Sequence, residues 1–157
     1  MSILPGTKAP WFSSVGFQDD KFLDISLSDF SSANQWLVLL FYPLDFGYIS
    51  SSELLELETK RKELEKMNCK ILAVSSDSVV VHEKFASINS GFGGVHGIKF
   101  PLLEDKNNSI SRMYGVKKMG SGHSAELTSS LTLSRWLGPG WWGTCQSPWG
   151  WRRWSGR

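Results

Sequence analysis

An unbroken apolar run at residues 36–42, Trp-Leu-Val-Leu-Leu-Phe-Tyr, restricts the possible fold more than any other feature of the sequence. The run has the length of a β-strand, and it lacks the polar alternation that would leave one face in water. Strands of this kind are typical of parallel sheets covered on both faces. The segment therefore predicts an interior strand of an α/β sheet.

Helical and strand-like patterns alternate after this run. Residues 50–67 place leucines on one face and Glu and Lys on the other, which predicts a helix that stops near Asn68. The later elements are predicted as a buried strand at 70–75, a helix at 79–90, a short edge strand at 100–103 and a short helix at 107–114 that Gly115 ends. Strands separated by helices predict an α/β domain with a parallel sheet at its centre.

Length and composition are those of one ordinary globular domain. The chain has 157 residues, of which 41% are hydrophobic and 20% charged, and no apolar run approaches the roughly 18–20 residues of a membrane span. The first residues resemble no signal peptide. Two cysteines, Cys69 and Cys145, make no disulfide framework, so a reducing cytoplasmic location is expected.

The charge is divided unevenly along the chain. Residues 125–157 hold four arginines and one glutamate, whereas the first 124 residues have 13 basic and 14 acidic side chains. A body so close to neutral has no electrostatic footprint for nucleic acid. We therefore expect neither a nucleic-acid nor a membrane partner.

Three serines open the helix that follows the first strand. Ser50-Ser51-Ser52-Glu53 fits a capping box, with Ser50 as the N-cap and Glu53 three residues later. On this pattern Ser50 is predicted to cap the helix, and Ser50→Ala to destabilise the domain by about 0.5–2 kcal/mol.

Six segments together carry a family resemblance. They are "APWF" at 9–12, "ISLSDF" at 25–30, "VLLFYPLDF" at 38–46, "CKILAVSSDS" at 69–78, "GIKFPLLED" at 97–105 and "ISRMYGV" at 110–116. In order and spacing they resemble the peroxiredoxins of the alkyl hydroperoxide reductase/thiol-specific antioxidant type, over residues 3–124. The resemblance implies a thioredoxin-like α/β fold and a family chemistry in which a cysteine reduces hydrogen peroxide and alkyl hydroperoxides.

The family's site motif, Pro-x-x-x-Thr-x-x-Cys, is mostly lost here. By resemblance the proline is Pro43, the threonine position is Gly47 and the peroxidatic cysteine position is Ser50. The proline that usually follows the cysteine is Ser51, while the family's glutamate is kept as Glu53. An engineered Cys-to-Ser change would alter one position, whereas three positions of the motif are altered here. We therefore interpret the divergence as inherited.

The chemistry of the family requires sulfur at this position. A helix N-terminus and a nearby cation lower the pKa of a cysteine, and the resulting thiolate is oxidised to a sulfenic acid. A serine hydroxyl has no comparable anionic form at pH 7, and it needs an adjacent general base to act as a nucleophile. The sequence predicts no such base for Ser50, and hence a catalytically inactive site.

The remaining polar candidates indicate structural roles. Cys69 begins a buried strand and is predicted to be a core residue. Neither Cys69 nor Cys145 is expected to act as a resolving cysteine. Asp77 ends that strand as a turn former, and His82 is expected on an exposed or half-buried helix face. The sequence predicts no metal and no cofactor.

The tail, residues 125–157, breaks the family pattern. It contains six of the eight tryptophans and five of the fifteen glycines, and it is expected to have no helical or strand period. Codons permitted for residues 125–155, read two bases later, can encode Arg-Ala-Asp-Phe-Ile-Val-Asp-Pro-Glu and further peroxiredoxin-like sequence. We interpret the tail as a frameshift, and we expect it to be disordered and to lack the family's last strands and helix. The rival interpretation is a basic, aromatic element that meets a membrane or nucleic acid.

Three functional hypotheses follow. The first is a non-catalytic peroxiredoxin homologue, and the second is residual thiol peroxidase activity through Cys69 or Cys145. The third is an interaction protein that pairs with itself or with active peroxiredoxins, or that binds unfolded clients. Thioredoxin is an expected partner only if a redox-active cysteine exists.

Overall fold

The computed structural model describes residues 8–33 and 35–116, together with the backbone of two strands at 130–136 and 142–147. The strands are β1 (Ser13–Gln18), β2 (Lys21–Ser26), β3 (Trp36–Phe41), β4 (Cys69–Ser75), β5 (Leu102–Glu104), β6 (Ser130–Trp136) and β7 (Trp142–Ser147). The helices are α1 (Leu27–Ser32), α2 (Tyr48–Lys66), α3 (Val79–Ser87) and α4 (Ser109–Met113), with a 3₁₀ turn at Ser90–Phe92.

Strand β3 is an interior strand, as the apolar run predicts. The described strands form one sheet in the order β2-β1-β5-β4-β3-β6-β7. Strand β3 pairs in parallel with β4, and β4 pairs in parallel with β5. The predicted α/β sheet with a parallel centre is confirmed.

Alternate side chains of β3 enter two different cores. Leu37, Leu39 and Phe41 pack with residues such as Phe12 and Tyr114 on one face of the sheet. Val38, Leu40 and Tyr42 pack on the other face against α2 and α3. Successive strand residues point to opposite faces, so a continuous apolar run is what a strand between two cores requires.

Strand β5 is not the edge strand that the sequence predicts. Strand β1 pairs antiparallel with it, through Gly16 opposite Leu103 and Phe17 opposite Leu102. A Cβ at Gly16 would lie only 3.2 Å from the Leu102 carbonyl oxygen, so a glycine suits this close pairing. The sequence pattern does not indicate the hairpin of β1 and β2 or helix α1, because these segments lack a continuous apolar run.

Helix boundaries differ from the predictions by a few residues. Helix α2 begins at Tyr48 rather than at Ser50, and α3 ends at Ser87 rather than near residue 90. The stop signals are confirmed: Asn68 follows α2 at φ 56°, and Gly115 follows α4 at φ 69°. Residues with left-handed backbone end a helix because they turn the chain so that the amides at this point bind the last helical carbonyls.

The tail contributes two strands, which differs from the expectation that it has no strand period. Strand β6 pairs antiparallel with β3, and β7 pairs antiparallel with β6. Residues 130–134, Ser-Leu-Thr-Leu-Ser, alternate polar and apolar, which is the pattern of a β-strand. The predicted disorder of the rest of the tail concerns residues outside those described.

In the described part of the chain, no helix combines the length and the apolar character needed to cross a bilayer.

The β1–β2 turn yields a stability prediction. Asp19 and Asp20 both have left-handed backbone, at φ 47° and 58°, which is the geometry of a two-residue hairpin turn that favours Asp-Gly. We expect Asp20→Gly to raise the free energy of unfolding by up to about 1 kcal/mol, because glycine adopts positive φ without steric cost. Urea unfolding measures the change. Asp24→Gly in β2 is the control and should lower stability; if both variants destabilise the domain equally, the turn is not strained.

Candidate functional site

The candidate site lies where β3 and β4 end and α2 begins. In parallel α/β sheets, functional residues gather at the carboxyl ends of the strands. The loop from Pro43 to Gly47 joins β3 to α2, and Ser76 Oγ lies 3.3 Å from the Pro43 carbonyl oxygen that it binds. Both strand ends therefore hold the start of α2 in place.

Ser50 is the third residue of α2 and does not cap it. The N-cap is Gly47, with φ −70° and ψ 129° and no side-chain capping bond. The first helical hydrogen bond runs from the Ser51 amide to the Gly47 carbonyl oxygen at 2.9 Å. The capping-box prediction is therefore wrong: the helix starts two residues before Ser50, so Glu53 lies inside it, beyond the reach of the cap.

Ser50 is instead a buried side chain in the first turn, with 4% of its surface exposed. The first amides of a helix have no carbonyl partner within the helix, and they give this end a positive potential. That environment favours an anion at position 50. A serine hydroxyl stays neutral, so it gains no charge stabilisation from this positive potential.

Gly47 lies directly beside Ser50. A Cβ built at Gly47 would be 3.1 Å from Ser50 Oγ and 3.4 Å from the Leu44 carbonyl oxygen. Any side chain at position 47 would thus contact the group at position 50. Pro43 and Glu53 flank this pair, one before the helix and one a turn further along it, and both are half-buried.

Ser51 ties the first turn of α2 to a distant loop. Its hydroxyl oxygen lies 2.7 Å from the carbonyl oxygen of Gly93 and 3.0 Å from that of Gly47. A hydroxyl has one hydrogen to donate, so the two carbonyls share it, with Gly93 the nearer. Sequence analysis missed this contact, because nothing in the spacing of residues 51 and 93 indicates that they meet.

Phe46 takes an unusual backbone conformation just before α2. Its φ is 59°, which is rare for a bulky residue. Its ring packs edge-on against Phe85 of α3, with 5.1 Å between the centroids. The packing against α3 offsets the local strain and sets the path of the loop.

A buried polar cluster lies behind this loop. Tyr42 Oη donates to Asp45 Oδ1 at 2.8 Å, and His82 Nδ1 lies 2.7 Å from Asp45 Oδ2. The Asp45 amide donates to Asp77 Oδ2 at 2.6 Å. Burial, with the Asp45 carboxylate adding to it, raises the pKa of Tyr42 well above its usual value, so the phenol stays protonated and donates.

The position of His82 corrects a prediction. The side chain is fully buried, whereas an exposed or half-buried face was expected, because the sequence does not indicate Asp45 as its partner. Its Nε2 has no hydrogen-bond partner among the described residues. Within the same residues, no cluster of three His, Cys, Asp or Glu side chains is placed to hold a metal ion.

Cys69 is a core residue, as predicted. It is 4% exposed at the start of β4, and burial raises the pKa of its thiol to about 11. The side chain of Cys145 lies outside the described residues, although its backbone belongs to β7.

A thioredoxin-like sheet with a helix N-terminus at the end of β3 defines the class: an α/β domain of the peroxiredoxin type. The profile of the AhpC/TSA family matches residues 5–131, and the chain belongs to this family. The match extends to residue 131, beyond the predicted family boundary at residue 124.

Known proteins agree with this assignment. The thioredoxin peroxidase of Fasciola hepatica is 35% identical over 120 residues, which are 76% of this chain and 61% of that protein. The human mitochondrial thioredoxin-dependent peroxide reductase is 38% identical over 114 residues, or 73% of this chain and 44% of the relative. The chain thus spans only part of the length of these relatives. The reduced 2-Cys peroxiredoxin of Plasmodium vivax superposes with a TM-score of 0.78 at 27% identity, covering 92% of this chain and 72% of that one.

The three serines of α2 provide a comparison of matched variants. We expect Ser51→Ala to cost about 1 kcal/mol of unfolding free energy, the usual contribution of one hydrogen bond. Ser52→Ala is the control, because that exposed hydroxyl binds only the Tyr48 carbonyl of its own helix; it should change stability by less than about 0.5 kcal/mol. Ser50→Ala should resemble the control in thermal and urea melts. A larger loss for Ser50→Ala than for Ser51→Ala would contradict this account of the first turn.

The Cys69 thiol should react slowly in the folded protein. With its pKa raised to about 11, the thiolate is a minor species at pH 8, and alkylation should speed up about tenfold for each pH unit toward pH 10. Iodoacetamide labelling of a Cys145→Ser variant, followed by mass spectrometry, measures this rate. The same variant in denaturant is the control and should label at the rate of an ordinary thiol. Fast labelling of the native protein at pH 7 would mean an accessible, activated cysteine.

Proposed function

We propose that this chain is a non-catalytic member of the peroxiredoxin family. The observation that carries the proposal is the placement of Ser50: it lies buried in the first turn of α2, where the family resemblance puts the peroxidatic cysteine. The scaffold of the site is present, and its reacting atom is an oxygen.

The chemistry of peroxide reduction explains why this exchange matters. A thiolate attacks one peroxide oxygen, the O–O bond breaks, and the sulfur becomes a sulfenic acid that a second thiol reduces. Oxygen in a serine side chain has no corresponding oxidation step. Among the described residues no base contacts Ser50: His82, the histidine behind the loop, binds Asp45 through Nδ1, and its Nε2 makes no hydrogen bond to the Ser50 hydroxyl.

Cys69 is too far from the site to replace the missing thiol. In the parallel pair of β3 and β4, Trp36 lies opposite Cys69 and Phe41 opposite Val74. Cys69 is therefore at the amino end of β4, five residues and roughly 16 Å from the strand ends that hold Ser50. Its raised thiol pKa also makes it a poor nucleophile, so residual peroxidase activity through Cys69 is not favoured.

Gly47 removes a second part of the family's site. The resemblance implies a threonine hydroxyl at this position, and any side chain there would contact the group at position 50. With glycine, no hydroxyl is available to orient a peroxide oxygen. The two altered positions, 47 and 50, lie side by side in the site. This arrangement supports a site that has lost the family's chemistry rather than a site altered by chance.

A protein with this scaffold and no chemistry fits an interaction role. We infer that it pairs with itself or with active peroxiredoxins through the faces of the shared fold, and that thioredoxin is not its partner. A cytoplasmic location and the frameshift origin of residues 125–157 remain part of this proposal; the genomic reading frame around codon 124 tests the origin. Static light scattering of the chain, alone and mixed with an active relative, tests the pairing.

The proposal predicts that the protein has no thiol-dependent peroxidase activity. Purified protein should consume hydrogen peroxide, in the presence of a thiol reductant, no faster than the Cys69→Ser/Cys145→Ser variant. Peroxide loss measured over time decides the question. A rate that the double variant abolishes would assign activity to one of the two thiols and would overturn the proposal.

Restoring the sulfur tests the same site from the other direction. Ser50→Cys alone should recover little turnover, because no hydroxyl orients the peroxide, and one lost oriented hydrogen bond costs roughly 10²–10³ in rate. Gly47→Thr/Ser50→Cys should be faster than Ser50→Cys, and Gly47→Thr alone should be inactive. Full activity from Ser50→Cys alone would show that the residues around Ser50 matter less than proposed.

A further inference from the structure

The first amides of α2 have no acceptor among the described residues. The first hydrogen bond of the helix joins the Ser51 amide to the Gly47 carbonyl oxygen, so the amides of Tyr48, Ile49 and Ser50 come before the helical ladder. A Ser, Thr, Asp or Asn at the N-cap would accept from the second or third of these amides through its side-chain oxygen. The N-cap here is Gly47, which makes no side-chain bond. Three backbone donors therefore point out of the start of α2.

The Ser50 hydroxyl adds a fourth donor at the same place. The residue is only 4% exposed, and its hydroxyl has no hydrogen-bond partner in the described part of the chain, whereas Ser51 and Ser52 both bind carbonyl oxygens. A Cβ built at Gly47 would lie 3.1 Å from Ser50 Oγ, so the hydroxyl points back toward the N-cap, as helical side chains do. A buried hydroxyl without a partner costs free energy, and an acceptor bound in front of it would recover that cost.

The charge of these donors selects the kind of acceptor. Residues 43–52 contain no lysine or arginine, so the positive potential is that of the helix end alone, roughly half an elementary charge. The acid of this loop, Asp45, is already bound by Tyr42 and His82. The Leu44 carbonyl oxygen lies 3.4 Å from a Cβ position at Gly47 and limits the space. A small monovalent anion suits this set of neutral donors better than a divalent one.

We propose that the first turn of α2 binds a small monovalent inorganic anion, of about the size of chloride, through its first amides and the Ser50 hydroxyl. Helix N-termini bind anions in this way, and here the bound ion supplies the negative charge that a neutral serine lacks. Tyr48 and Ile49 are 88% and 67% exposed, so the turn lies at the surface and the ion can reach it. The inference goes beyond the proposed function, because chloride binding is measured without peroxide and either result can fail alone.

A chloride titration of the full chain, followed by the broadening of the chloride NMR line, tests the site. The unaltered protein should give a saturable component, and Ser50→Ala should weaken it at least about tenfold, because a hydrogen bond to a charged group is lost. Ser52→Ala is the matched control and should bind as the unaltered protein does, since that hydroxyl binds the Tyr48 carbonyl of its own helix. Chloride bound elsewhere broadens the line equally in all three proteins. Equal affinity in Ser50→Ala, or no saturable component, would overturn the proposal.

A built-in carboxylate tests the same site even if Ser50→Ala folds poorly. Aspartate is a favoured N-cap residue, so Gly47→Asp should place its own anion before the first amides and abolish the saturable chloride component. The melting temperature of the unaltered protein should rise with chloride, measured against sodium gluconate at equal ionic strength, because a ligand of the native state stabilises it. Gly47→Asp should not respond. An equal rise in both proteins would be a general salt effect and would overturn the proposal. Sulfate that displaces chloride at a lower concentration would overturn the assignment to a monovalent ion.

Discussion

Burial of β3 on both of its faces is the constraint on which the rest of the structure depends. Leu37, Leu39 and Phe41 need one core, and Val38 and Leu40 need another. Each core must then be covered by other elements, α2 and α3 on one side and α1 with α4 on the other. Strands β4 and β6 flank β3, so its backbone groups are paired along both edges. The loop that leaves β3 therefore starts from a rigid position, and so does the helix that follows it.

The loop between β3 and α2 is held by polar contacts that are independent of catalysis. Asp45 receives hydrogen bonds from Tyr42 and His82, and its amide binds Asp77. Phe46 packs on Phe85 and keeps its left-handed backbone. None of these contacts involves the Ser50 side chain. The geometry of the loop therefore depends on contacts that also contribute to folding.

The first turn of α2 gives its three serines different environments. Ser50 is buried beside Gly47, Ser51 reaches across to Gly93, and Ser52 is exposed. A helix turns 100° per residue, so neighbouring positions face different surroundings even when their chemistry is identical. The contact of Ser51 with the Gly93 loop depends on the fold, and it occupies a position where the family resemblance implies a proline.

The amino-acid sequence by itself determined the α/β class, the two buried strands at 36–42 and 70–75, and the helix stops at Asn68 and Gly115. These are properties of local pattern and residue type: a continuous apolar run and a residue suited to positive φ. Only the tertiary structure decided that α2 begins at Tyr48, that His82 is buried against Asp45, and that β5 is an interior strand. The last two facts depend on partners distant in sequence: Asp45 for His82, and Gly16 and Phe17 for β5. Local propensity does not indicate which distant residues will come into contact, because those contacts depend on how the two cores pack around β3.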